Sequence, residues 1–178
     1  HRDLHSFPTR RSSDLTGRRR AGKGHFMCYF VCLSTDGPED LSVHNTEGLR
    51  FFPLPETFPE APASRLQHPR RWEVQSKSHC GCTFRHLIGK TEELEFGPPV
   101  DWFEEEDDAV AATAELYRVL AGLLQAGRQV DLVDWWWVEP PEEEVPIEDM
   151  DIALSEIPEE AFRLFEYRRF RLVWGAAK

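Results

Sequence analysis

Long apolar runs are missing from this sequence: nothing in it approaches the roughly 20 residues that a bilayer-crossing helix needs. A complete Gly-rich phosphate loop is missing too. The nearest candidate, "GRRRAGKG" at 17–24, does not complete the motif, which leaves nucleotide chemistry of that kind without a foothold. Cysteine is scarce, with four in 178 residues and no secretory segment ahead of them. That pattern argues against a disulfide framework and for a reducing, cytoplasmic setting in which thiols are free, metal-bound or catalytic. The sequence has no paired Cys-x-x-Cys motifs and no internal repeat.

Basic charge is also in short supply. The chain carries 21 Lys and Arg against 32 Asp and Glu, a formal net charge of -11. Seven of the basic residues and two of the acidic ones fall in the first 26 positions, so residues 27–178 hold 14 against 30, or -16. Such a surface repels a phosphate backbone, and Arg70-Arg71 and Arg168-Arg169-Arg171 are too short to form a compensating patch. Nucleic acid is excluded as the expected partner. A basic protein is favoured by the same argument.

The basic leader reads as foreign to the rest. His1-Arg2-Asp3-Leu4 copies the opening of a kinase catalytic loop, but Pro8 stands where the metal-binding Asn belongs, and no DFG follows. Asp3, Pro8 and Asp14 interrupt the amphipathic helix that an organellar presequence would need. Residues 1–15, "HRDLHSFPTRRSSDL", resemble the translation of a sequencing-library adapter along their whole length. Residues 1–26 are therefore expected to be an artefactual leader, disordered or poorly packed, with Met27 as the natural start and 27–178 as a single domain.

Within that domain the periodicities change from segment to segment. "CYFVCLS" after Met27 and "GLRFF" have strand character. The Pro-rich stretch 53–69 reads as a surface loop, and "RWEVQSK" alternates, with Trp72 and Val74 on one face. A long helix is predicted after Pro98-Pro99, capped by Asp101 with Glu104 in a capping box and stopped by Gly127. Its apolar stripe is Ala109, Ala112, Leu116, Leu120 and Leu123. "QVDLVDWWWVEP" reads as a central strand, with Asp134 on the Val130/Leu132 face implying a bulge or a strand end. Residues 139–151 form an acidic connection. "IPEEAFRLFE" reads as a short helix, and "YRRFRLVW" as a closing strand with Phe170, Leu172 and Trp174 inward. The order predicts an α+β fold: a mostly antiparallel sheet with one long helix and one short helix packed on one side.

Chemistry concentrates in "SHCGCTFRH". If the strand begun at Trp72 continues, Cys80, Cys82 and Phe84 share its inward face, while Cys28, Phe30 and Cys32 share a face of the first strand. Along a strand Cys28 and Cys32 lie about 13 Å apart, at about 3.3 Å per residue. Thiolates sharing a zinc ion at bonds of about 2.3 Å must approach to roughly 4 Å. A metal site, with zinc as the expected cofactor, is therefore confined to Cys80 and Cys82, one of Cys28 or Cys32, and a fourth ligand from His79 or His86. Inert buried thiols are the competing expectation.

Two further readings stand beside it. Trp135, Trp136 and Trp137, next to Glu142, Glu143 and Glu144, suit an acidic, aromatic surface for a basic protein partner, as in small immunity proteins that neutralise toxins. Core packing for the tryptophans and a solvated linker for the acids are the alternatives. The opening Met27-Cys28 resembles that of glutamine amidotransferases with an N-terminal cysteine nucleophile, which would make Cys28 catalytic; Tyr29 departs from the Gly usual there. Met27-Cys28 with Cys80-Gly81-Cys82 also resembles small bacterial proteins of uncharacterised function that begin Met-Cys and carry a Cys-x-Cys element. The leading expectation is a non-enzymatic binding or accessory protein.

Overall fold

The computed structural model describes residues 27–55, 58, 60–138 and 145–175. The leader, with its expected disorder, and Glu142 to Glu144 lie outside them. The strands are β1 (Met27–Thr35), β2 (Leu49–Pro53), β3 (Arg70–Ser76), β4 (His86–Leu87), β5 (Val130–Val138), β6 (Glu148–Ala153), β7 (Leu164–Phe165) and β8 (Arg168–Val173). The helices are α1 (Glu60–Arg65) and α2 (Asp107–Gln125). Six strands form one sheet in the order β2-β3-β1-β5-β8-β6, antiparallel except for the β6/β8 edge. β4 and β7 make a separate two-stranded parallel pair.

β1 sits between β3 and β5, and both of its faces carry apolar residues. Val31 and Leu33 point into the main core with Phe51, Val74, Leu132, Phe170 and Leu172. The α2 stripe of Ala112, Leu116, Leu120, Leu123 and Leu124 closes that core. Each fully buried Leu or Phe there contributes roughly 1.5–3 kcal/mol relative to an exposed one. On the opposite face Cys32 and Val133 pack under Leu66, with Phe30, Leu54, Phe58, Trp135 and Ile147 around them. The polypeptide covering this face is tied down by Asp131. Its carboxylate accepts from Ser34 Oγ and from the Gln67 amide, and Ser34 Oγ in turn accepts from the His68 amide.

The α+β architecture is as predicted, with a mostly antiparallel six-stranded sheet and one long helix. Several local expectations are corrected. The long helix starts at Asp107 rather than after Asp101, with Glu106 rather than Asp101 at its N-cap and with Glu105, just before it, drawn inward by two arginines. Gly127, at φ 78°, ends it as expected. The short helix falls not at 157–166 but at Glu60–Arg65, inside the Pro-rich stretch and on the Cys32 face, opposite α2. In its predicted place are one 3-10 turn, Glu159–Ala161, and the short strand β7. The acidic connection already turns into strand at Glu148, where Asp149 pairs with Arg169. β8 ends at Val173, leaving Trp174 43% exposed instead of inward. β5 runs through Asp134 without a bulge; a buried partner described below binds Oδ2 of its carboxylate, while Oδ1 is buried with no hydrogen-bond partner among the described residues.

Candidate metal centre

β3 pairs with β1 only from Val31 to Thr35, so the edge of β1 at Cys28 and Tyr29 is open to another segment. The chain supplies one by turning sharply at the end of β3, through His79 at φ 61° into a 3-10 turn at Gly81–Thr83. β3 does not continue through Cys80, Cys82 and Phe84, the condition for their sharing its inward face; a turn at Gly81 brings the two cysteines together instead. Ser76 anchors the turn. Its amide and hydroxyl both donate to the Cys80 carbonyl at 2.8 Å, and its hydroxyl accepts from the Thr83 amide. Gly81 lies against the strand so closely that an added Cβ would sit 2.7 Å from the Tyr29 carbonyl oxygen.

This arrangement brings together Cys28, Cys80 and Cys82, whose Sγ atoms all lie within 4.8 Å of one another. Cys28 and Cys82 are 3.3 Å apart. The sulfurs also collect polar donors. The Cys82 amide donates to Cys80 Sγ at 3.3 Å, the Tyr29 amide to Cys82 Sγ at 3.4 Å, and the Ser78 hydroxyl lies 3.3 Å from Cys80 Sγ. Hydrogen bonds from Cys28 and Cys82, helped by Ser78 and the Cys82 amide, outweigh burial and hold the Cys80 thiol well below the usual thiol range. Cys28 is pushed up by its bonds to Cys80 and Cys82 and by burial. Cys82 also goes up: Cys28 favours its ionised form, but Cys80 and burial together win.

Of the remaining candidate ligands, Cys32 is fully buried under Leu66, and burial raises its thiol pKa. It is not part of the thiol group. His79 is exposed on the turn and is not in the group either. His86 stands behind the turn rather than in it, with Nε2 2.7 Å from the Gly81 carbonyl oxygen and Nδ1 2.7 Å from Asp134 Oδ2. The Tyr29 ring stacks on it at 3.9 Å. Burial lowers the imidazole pKa, yet the Asp134 charge and hydrogen bond prevail and raise it. Asp134 was legible as an anomaly in an apolar strand, but its partner was not, because His86 is 48 residues away.

The other functional candidates are placed differently. Trp135 and Trp137 pack against Phe30, and Trp136 against Tyr29, all half-buried. Cys28 is 5% exposed, and its thiol meets the Tyr29 carbonyl and Cys82 rather than a general base.

Chemically, three sulfurs that converge from two segments, with amide donors aimed at two of them, can chelate a thiophilic ion. Among the described residues, no other group of three His, Cys, Asp or Glu donors is that close. Comparison with protein-family models, curated proteins and solved structures finds no match.

Proposed function

We propose that this protein binds one thiophilic metal ion, of the zinc and copper class, through Cys28, Cys80 and Cys82. The observation that carries the proposal is the convergence of three Sγ atoms within 4.8 Å from strand β1 and a turn more than 50 residues later. Inert buried thiols would need neither the amide and hydroxyl donors directed at Cys80 and Cys82 nor an exposed position for Cys82. Metal binding takes precedence here over recognition of a basic partner, because the three tryptophans already have packing partners within the fold.

The test is metal analysis of the full chain, reduced and loaded with zinc or monovalent copper. One equivalent per chain is expected, with loss of binding in Cys28→Ser, Cys80→Ser and Cys82→Ser. Protein that takes up neither ion, and melts at the same temperature with or without a chelator, would overturn the proposal.

A further inference from the structure

We infer that the ion is held by three sulfurs and by no fourth side chain among the described residues, which makes the centre one for monovalent copper rather than a closed structural zinc site. This rests on the metal-binding reading above and goes beyond it by naming the coordination and the ion.

The case begins with the donors within reach. Structural zinc is almost always bound by four protein ligands arranged as a tetrahedron. Among the described residues the thiol group contains only Cys28, Cys80 and Cys82. The fourth ligands expected for zinc are each committed or displaced. His86 has both ring nitrogens engaged at 2.7 Å, one by Asp134 and one by the Gly81 carbonyl, and cannot offer a lone pair without giving up a buried bond. Cys32 lies under Leu66 with Val133. His79 follows the turn outward into solvent at φ 61°.

The donor type points the same way. Sulfur-only sets with no oxygen or nitrogen favour soft ions, of which monovalent copper is the softest common example. Three thiolates around a monovalent ion keep a surplus of negative charge. The structure supplies a counterweight in the Cys82 and Tyr29 amides and the Ser78 hydroxyl, each directed at a sulfur within 3.4 Å. Hydrogen bonds to charged acceptors are the stronger kind, and here they spread the charge without adding a ligand. Cys82 is exposed while Cys28 is buried, so the group has one sulfur on the surface from which an ion can enter.

The deciding experiment is X-ray absorption on the full-length reduced chain, loaded anaerobically with monovalent copper and, separately, with zinc. The expected copper spectrum has three sulfur neighbours and no nitrogen. Cys82→Ser is expected to lower copper affinity by more than the roughly 100-fold that loss of an outer-shell partner costs. Cys32→Ser and His79→Ala should leave copper affinity and the spectrum unchanged. A fourth sulfur, or an imidazole nitrogen that disappears in His79→Ala or His86→Ala, would overturn the three-sulfur centre while leaving the metal-binding reading intact. Uptake of zinc with four protein donors and no uptake of copper would do the same. Absence of binding by either ion would remove both.

Discussion

His86 Nδ1 lies 2.7 Å from Asp134 Oδ2, and the same ring reaches the Gly81 carbonyl through Nε2 at 2.7 Å. Both nitrogens face acceptors, so both must carry protons, and the imidazole is held as a cation between β5 and the cysteine turn. The pair therefore connects the centre of the sheet to the segment that positions Cys80 and Cys82.

From this pairing we expect the His86 ring to give the nitrogen chemical shifts of an imidazolium at neutral pH. Its pKa is raised above 6.5, so its contribution to stability is fully present below 6.5 and is lost as pH rises through the folded-state value. Asp134→Asn should remove that pH dependence. It should also weaken metal binding by about 10- to 100-fold, as loss of an orienting partner does elsewhere. A neutral single-tautomer signal for His86 in the native protein would contradict the assignment.

The sequence disclosed the sheet and the α2 stripe because both depend on local periodicity: alternation in "RWEVQSK" and three- and four-residue spacing from Ala109 to Leu123. It disclosed Cys80 and Cys82 by adjacency, and the limit on strand geometry correctly separated Cys28 from Cys32 as ligands of one ion. What it hid were long-range polar pairings. Nothing local tells that Asp134 meets His86, that Asp131 fastens the Gln67 amide, or that Glu105 is taken by arginines 20 and 58 residues away. The boundaries that periodicity misplaced are marked by polar contacts of this kind: helix α2 begins just after Glu105 meets its arginines, and β3 stops where Ser76 binds the Cys80 carbonyl.

Gly81 predicts a second outcome. A methyl group at this position would stand 2.7 Å from the Tyr29 carbonyl oxygen and 3.0 Å from Val31 Cγ2. The first contact is backbone, so β1 and the turn must separate, and with them Cys28 and Cys82. Gly81→Ala should cost about 1–3 kcal/mol in denaturant unfolding. It should also lower metal affinity by about 10-fold or more, equivalent to one step of 1.4 kcal/mol. Gly122→Ala, on the exposed side of α2 with nothing near the added methyl group, is the control and should leave binding unchanged.

Cys32 separates packing from ligation. It is fully buried between Leu66 and Val133 and contributes no sulfur to the group of three. Cys32→Ala should reduce stability by roughly 1 kcal/mol through lost apolar burial, while metal stoichiometry stays at one. Loss of the ion in this variant, with the fold retained by circular dichroism, would mean that Cys32 takes part in binding.

The last prediction concerns the acid side of the stability curve. Glu105 receives Arg85 through both carboxylate oxygens at 2.8 Å and Arg163 at 3.0 and 3.2 Å, with the two guanidinium groups 1% exposed. Burial would raise its carboxyl pKa, but the hydrogen bonds and charges of the two arginines outweigh it and hold the value below the usual carboxylate range. Glu105→Gln leaves two buried cations without their anion and should destabilise the protein by about 3–5 kcal/mol at neutral pH. The exposed pair Arg118–Glu159 gives the contrast: Glu159→Gln should cost about 1 kcal/mol at most. Because the folded-state pKa of Glu105 is depressed, its contribution is present above the unfolded value near 4.5 and disappears as pH falls through the folded value. The stability difference between the native protein and Glu105→Gln should therefore shrink below about pH 4.5 in urea unfolding curves. A difference that stays constant from neutral pH to pH 3 would show that the carboxylate charge is not what holds Arg85 and Arg163 in place.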